Sequence, residues 1–244
     1  MPSIAQRKLI KTNLDRLSEN SYPGRGMVLG ATIDHRHLVQ IYWIMGRSEN
    51  SRNRIFVEDK GTISTQAYNP EKLSDPSLII YEPIKVFDHY HIITNGDQTQ
   101  TITNSLQEGQ TFEAALMQRK YEPDPPHFTP RISAVHDIKH SKFPYTISIL
   151  KSFMNNTENC LRHFYYYQCS LPGLGHCITT YSGDANPLPS FEGEPFLVNT
   201  FNDQEETAQF YWDLLNIENR VSLIVKFIEI ATMDVSFTII NRHQ

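Results

Sequence analysis

No stretch of this sequence holds enough consecutive apolar residues to span a bilayer, and its opening residues, Met-Pro-Ser-Ile-Ala-Gln-Arg-Lys, contain no signal-peptide core. Those absences predict a cytoplasmic chain with no membrane partner. Basic residues are not in excess either: 22 Lys and Arg stand against 27 Asp and Glu, a formal charge of −5. A phosphate backbone rewards a basic face, so this balance argues against nucleic-acid binding. Cysteine is scarce. Cys160, Cys169 and Cys177 are odd in number and lack metal-ligand pair spacing, which reads as reduced thiols. No Walker, dinucleotide or Gly-x-Ser-x-Gly fingerprint is present. His35/His37 and His89/His91 are paired at i, i+2 without an obvious third ligand, so the expectation is no metal and no cofactor. Cys177 beside His176 makes a poor nucleophile pair, because adjacent strand residues face opposite sides.

What the chain does have is a core and a pattern. Its 244 residues suffice for one large domain or two small ones. Ile10, Leu14 and Leu17 fall on one face of a helix predicted over residues 4–19, with Ile4 and Leu9 off that stripe. Gly26 to Ile33 and the apolar run Leu38 to Met45 read as a strand hairpin, followed by a short apolar run at Ile55 to Val57. Leu78 to Phe87 reads as a strand interrupted at Pro83, paired with Tyr90 to Thr94. Asp97 to Leu106 and Thr111 to Arg119 read as helices, the second with Phe112, Ala115 and Leu116 as its apolar face. Arg131 to Val135, Tyr145 to Lys151 and Leu161 to Cys169 read as strands. Glu206 to Leu215 reads as a helix, and Arg220 to Ile230 and Val235 to Ile240 as β-rich segments. Proline stiffens two loops, residues 121–130 and 182–195. The sum is an α+β fold with sheets packed on each other and helices outside.

One segment stands out chemically. Gly46 to Arg54, Gly-Arg-Ser-Glu-Asn-Ser-Arg-Asn-Arg, sets three arginines on a turn between two strands. Arginine presents a planar, permanently charged fork that matches phosphate. The turn is either an oxyanion site or a solvated loop whose arginines pair with nearby acids. Against a net acidic background, a local basic cluster favours a small anionic ligand. Arg25 projects from the Tyr22-Pro-Gly-Arg-Gly turn, where two glycines permit close backbone approach. Asp97 is a fair N-cap, and backbone donors at a helix start also hold anions. Glu122 sits on a stiff loop, as a surface acid or, if buried beside a substrate, as a general acid or base.

Tyr22-Pro-Gly-Arg25-Gly, Gly46 to Arg54, Asp75-Pro-Ser-Leu-Ile-Ile-Tyr81, Thr94-Asn-Gly-Asp97, Tyr121-Glu-Pro-Asp124 and Phe128-Thr-Pro-Arg-Ile132 occur in order. That series resembles the archaeal-type inosine monophosphate (IMP) cyclohydrolases over residues 22 to 135. Gly173 to Pro195 looks like longer, bacterial relatives. The resemblance implies a four-layer αββα sandwich similar to N-terminal-nucleophile hydrolases, as a single domain over 22–244 behind an N-terminal helical extension at 1–21. It implies closure of a purine ribotide, 5-formamidoimidazole-4-carboxamide ribotide, to IMP with loss of water, by a homo-oligomer such as a tetramer. By motif position it gives Arg54, Tyr81 and Glu122 as catalytic residues. Arg25, Arg47, Asn50, Asn53, Asn95, Gly96, Asp97, Gln98, Thr99, Thr129 and Arg131 form the expected substrate-binding set. A non-catalytic nucleotide-binding module and an amide hydrolase of the same fold are the alternatives.

Overall fold

A run of nine residues without a solvent-facing side sets the architecture. The computed structural model describes residues 3–72, 79–139, 142, 144–153 and 156–243. In it β2 (His37–Met45) is buried along almost its whole length, as is β1 (Gly26–Ala31). Both strands therefore lie in a sheet covered on its two faces. Among the described residues that sheet has six strands, in the order β11 (Phe196–Asn199), β10 (Leu174–Thr179), β1, β2, β12 (Arg220–Glu229) and β13 (Val235–Asn241). A second, seven-stranded sheet runs β3 (Ile55–Asp59), β4 (Thr62–Gln66), β5 (Ile84–Phe87), β6 (Tyr90–Thr94), β7 (Arg131–Asp137), β8 (Tyr145–Phe153) and β9 (Asn156–Tyr167). Every neighbouring pair is antiparallel.

The two faces of β2 do different work. Tyr42 and Ile44 point into a core shared with the second sheet, where they meet Phe56, Ile63, Ile93, Ile132 and Ile147. Val39, Ile41, Trp43 and Met45 point the other way, onto α1 (Ile4–Glu19) and α5 (Gln204–Leu214), through Leu17, Ala208, Tyr211 and Trp212. The outer face of the second sheet is covered by α3 (Gln98–Gln107) and α4 (Phe112–Met117), with Ile102, Leu106, Phe112, Ala115 and Leu116 against Ile92, Val135 and Leu150. The mixed α+β expectation holds. Gly26 lies opposite Trp43 in the ladder, and a Cβ there would sit 2.0 Å from the indole. The tight fit of the hairpin on α5 needs that glycine.

Between the sheets lies one polar group that the hydrophobic pattern does not announce. Gln40 Nε2 donates to the His91 carbonyl (2.8 Å) and lies 3.3 Å from His136 Nδ1. Lys226, the cross-strand partner of Gln40, is wholly buried, and its Nζ has no hydrogen-bond partner. Burial drives the Lys226 ammonium down to about 7.

Several boundaries differ from the sequence reading for identifiable reasons. The segment 46–54 is not all turn. Ser48 and Ser51 form a reciprocal capping box that winds α2 (Glu49–Arg52). The strand expected from Leu78 starts instead at Ile84, after Pro83; Asp75 to Leu78 lie outside the described residues. Three strands, β4, β10 and β11, were not assigned from the sequence, each being short and poor in alternating apolar residues. The helix over 4–19 appears as expected, with Ile10 and Leu17 buried and Ile4 and Leu9 exposed. No helix among the described residues is long and apolar enough to cross a membrane.

Candidate active site

The site forms at one end of the two sheets, where β1 and β7 begin, β2 and β10 end, and the chain crosses from one sheet to the other before β3. Gly24 opens it with φ 73°, a conformation suited to glycine, and a Cβ there would strike Thr180 and Tyr181. That turn delivers Arg25, whose backbone is fixed on both sides: its N–H donates to Thr180 Oγ1 (3.1 Å), and its carbonyl accepts from the Thr180 N–H (2.8 Å). The three arginines of the next segment then separate into three roles. Arg52 is structural, donating to the Gly46 carbonyl (2.9 Å) and to Asn219 Oδ1 (3.0 Å). Arg47 reaches across the mouth to the Asp184 carboxylate and the Ala185 carbonyl, lying 4.9 Å over the Tyr22 ring. Arg54 turns inward. Its Nε donates to the Ser51 carbonyl (2.9 Å), and its Nη1 is buried with no hydrogen-bond partner.

The opposite wall is the proline-stiffened loop. Asp124 holds it, accepting from the Thr129 N–H (2.7 Å) and hydroxyl, while the Glu122 N–H donates to the Thr129 carbonyl (2.9 Å). Tyr181 from the far sheet joins through Thr129 Oγ1 (2.5 Å). This bracing presents Glu122, only 2% exposed, to Arg25 Nη2 at 3.3 Å. The cavity between them, open at its mouth, measures about 290 Å³, at the small end of the range for small-molecule sites. A larger groove of about 420 Å³ between α1 and α5 is lined by Ile10, Leu14, Phe210, Leu214 and surface charges. It lacks convergent buried polar groups, so the chemistry lies with the smaller cavity.

Electrostatics sharpen that conclusion. Burial raises the Glu122 carboxyl above the ordinary carboxylate range, and the opposing pull of Arg25 and Arg131 does not cancel it. Burial also works against the Arg25 charge, but Glu122 and the surrounding phenols keep it protonated. Arg54 makes no ion pair among the described residues, and burial and the repulsion of Arg25 lower it against the weaker support of nearby phenols. Guanidinium nevertheless stays charged in proteins. The cavity wall therefore carries a buried guanidinium N–H, Arg54 Nη1, with no hydrogen-bond partner among the described residues. Behind the lining, Tyr81 lies within the fields of Arg25 and Arg54, which pull its phenol down while burial, the larger effect, pushes it up. Thr65 on β4 pins the Tyr81 backbone: its Oγ1 accepts from the Tyr81 N–H (2.9 Å) and its own N–H donates to the Tyr81 carbonyl (2.9 Å).

Of the residues expected from sequence, Arg25, Arg47, Asn50, Arg54, Glu122 and Thr129 line the cavity, with Tyr81 behind it. Asn53 is elsewhere, bonded in both directions to the backbone of Asn69. Asn95, Gly96, Gln98 and Thr99 form a buried turn behind Glu122. Asn95 serves the Pro130 carbonyl and the Ile132 N–H, and Thr99 bonds Thr94. Asp97 occupies the N-cap position but makes no capping bond; its carboxylate goes to Arg119 and Arg131. Arg131 also donates to Gln98 Oε1 (2.6 Å). The ion-pair partner of Glu122 is thus Arg25, not Arg131 or Arg54, because Asp97 and Gln98 occupy the Arg131 fork. Sequence reasoning did not select Tyr42, His127, Tyr181 or Leu188. Only Tyr42 left a signal, a polar-tipped ring on the inward side of an otherwise apolar strand. His127 is fixed by the Leu188 N–H, which donates to its Nδ1 (3.2 Å).

Fold and cavity together define a class: a two-sheet α+β protein with an arginine-rich cavity and a buried carboxyl group set against it. The family is narrower than that. The chain belongs to the IMP cyclohydrolase-like protein family, whose model matches residues 22–232. An IMP cyclohydrolase of Methanopyrus kandleri is 29% identical over 119 residues, 48% of this chain and 59% of that protein. The chain therefore spans less than two-thirds of that archaeal relative's length.

Proposed function

We propose that this protein is an IMP cyclohydrolase that closes 5-formamidoimidazole-4-carboxamide ribotide to IMP with loss of water. The observation that carries the reading is the convergence, on one small cavity, of Arg54, whose Nη1 has no hydrogen-bond partner among the described residues, and a buried, raised Glu122, with Tyr81 just behind them. Family membership supports it. In the reaction the carboxamide nitrogen bonds to the formyl carbon and sheds a proton, which the formyl oxygen takes up as hydroxyl. That hydroxyl then takes a second proton and leaves as water, while the formamide nitrogen loses its N–H proton and the ring C=N bond forms. Arg54 stabilises negative charge growing on the formyl oxygen. Glu122 and Tyr81 move the two protons. The ring closure is intramolecular, so holding the formyl group against the carboxamide supplies much of the rate. No step calls for a redox group. Helices outside both sheets fit the four-layer αββα sandwich of N-terminal-nucleophile hydrolases, and we extend the proposal to that fold class and to a homo-oligomeric assembly.

Purified protein given the formamido ribotide is expected to lose the substrate's ultraviolet spectrum and yield IMP. Tight binding without conversion would instead identify a nucleotide-binding module. Release of formate with an open ring would identify an amide hydrolase.

Arg47 and Arg25 are proposed to hold the phosphate end. The Arg47–Asp184 pair is about one-third exposed on each side, so it is worth at most about 1 kcal/mol, and a phosphate displaces the carboxylate readily. Arg47→Ala should weaken ribotide binding by roughly 10- to 100-fold, the value of a hydrogen bond to a charged group. Binding of the free nucleobase should be nearly unchanged. Calorimetric titration of both ligands checks this, and an equal loss for the two would move the phosphate elsewhere.

A further inference from the structure

We infer that Tyr42 is a positioning residue of this site, acting through Tyr81. Tyr42 and Tyr81 touch hydroxyl to hydroxyl at 2.7 Å. Tyr42 is fully buried and Tyr81 is 7% exposed, and neither hydroxyl has another hydrogen-bond partner among the described residues. Tyr42 does not line the cavity; its ring is wedged in the core shared by the sheets, 5.7 Å from the Phe56 ring. A lone hydroxyl so deep in an apolar core is costly unless bonded, so its placement at the tip of Tyr81 is specific.

The direction of the bond follows from the charges around it. Arg25 and Arg54 favour negative charge on the Tyr81 oxygen, with Glu122 opposing them more weakly, and we assign the acceptor role to Tyr81. Tyr42 therefore donates and Tyr81 accepts. A Tyr81 oxygen that accepts from Tyr42 keeps its own O–H uncommitted among the described residues, behind the Arg25 and Arg54 side of the cavity. If that proton leaves, the phenolate retains one hydrogen bond from Tyr42 and the fields of two guanidiniums. Tyr42 thereby aims Tyr81 and stabilises its deprotonated form, without touching the ligand.

The kinetic consequence rests on the cyclohydrolase reading; the geometry does not. Tyr42→Phe removes one oxygen and keeps the ring that packs against Phe56. The expected result is a fall in kcat of about tenfold, with KM little changed. The limb of the pH–rate profile that Tyr81→Phe abolishes should shift upward by about one pH unit, because the Tyr81 phenolate has lost a donor. A second measurement needs no turnover. With isotope-labelled tyrosine, the Tyr81 ring resonance should shift between wild type and Tyr42→Phe, and its titration should move upward. If both the pH profile and the Tyr81 resonance superpose on those of the wild type, Tyr42 is a packing residue and the inference is overturned. If the wild type itself fails to close the ring, the functional reading falls, while the resonance still decides whether Tyr42 governs Tyr81.

Discussion

Glu122→Gln lowers turnover by about 10²–10⁴-fold, the usual range for losing a general acid or base, while ribotide binding changes little. The substitution keeps the shape of the side chain and its capacity to accept from Arg25 Nη2, but removes the titratable proton. The wild-type pH–rate profile should carry a limb above the ordinary carboxylate range, since burial raises the Glu122 carboxyl. That limb disappears in the variant. The sign for stability is separate. A carboxyl raised on folding stabilises fully below its unfolded value, and that contribution is lost as pH rises through the folded value. The variant also leaves Arg25 without its carboxylate partner. Melting temperature and per-molecule turnover must therefore be read on the same sample. A lower melting temperature with turnover near normal would reduce Glu122 to a structural partner of Arg25.

Lys226→Met raises stability at neutral pH by about 2–4 kcal/mol, following the linkage of roughly 1.4 kcal/mol per pKa unit discounted for local relaxation. The Lys226 ammonium falls from 10.5 in the unfolded chain to about 7 in the fold. Between those values the unfolded chain binds the proton and the folded one does not. The penalty is therefore complete below about pH 7 and fades as pH rises toward 10.5. His91 and His136 face the same group and are themselves held low, at about 2 and about 3, chiefly by burial and secondarily by Lys226. Both therefore remain neutral across the neutral-to-alkaline range. Denaturant melts of wild type and variant at several pH values check the claim. The gap between them must be widest near neutrality and close toward alkaline pH. A constant gap, or a less stable variant, would refute it.

The sequence disclosed elements where one physical rule dominated. Ile10, Leu14 and Leu17 obey helical spacing, and the helix formed where they predicted it. The run 38–45 is apolar on both faces save for Gln40 because two other layers cover it, and near-continuous apolarity is what a doubly buried strand looks like. Thr62–Gln66 carries only Ile63 as a large apolar residue, so its strand was illegible; its identity rests on pairing with β3. Arg25, Arg47 and Arg54, singled out by arginine chemistry, all line the cavity, but that chemistry alone does not separate them from Arg52, whose fork serves Gly46 and Asn219. The turn at 95–99 looked like a ligand cradle because its residue types suit one. Those donors and acceptors are consumed within the protein, and no local pattern reveals whether a polar side chain is already occupied. Tyr181 and Leu188 reach the cavity from more than fifty residues past the loop they face, a closeness that only tertiary structure creates.

That last arrangement has a thermodynamic corollary. The cavity is walled on one side by segments leading into and out of the first sheet, at 22–25, 47–51 and 181–188, and on the other by segments of the second, at 54, 79 and 122–129. A bound anion thus behaves as a rivet through a seam. Opening the seam disperses the binding site, so the ligand has affinity for the docked sheets and none for the parted ones. Mass action then converts occupancy into adhesion between the layers. Amide hydrogens at the adjoining ends of β1, β2, β7 and β10 should consequently exchange more slowly as ligand is added, whereas those at the far ends of the same strands respond less.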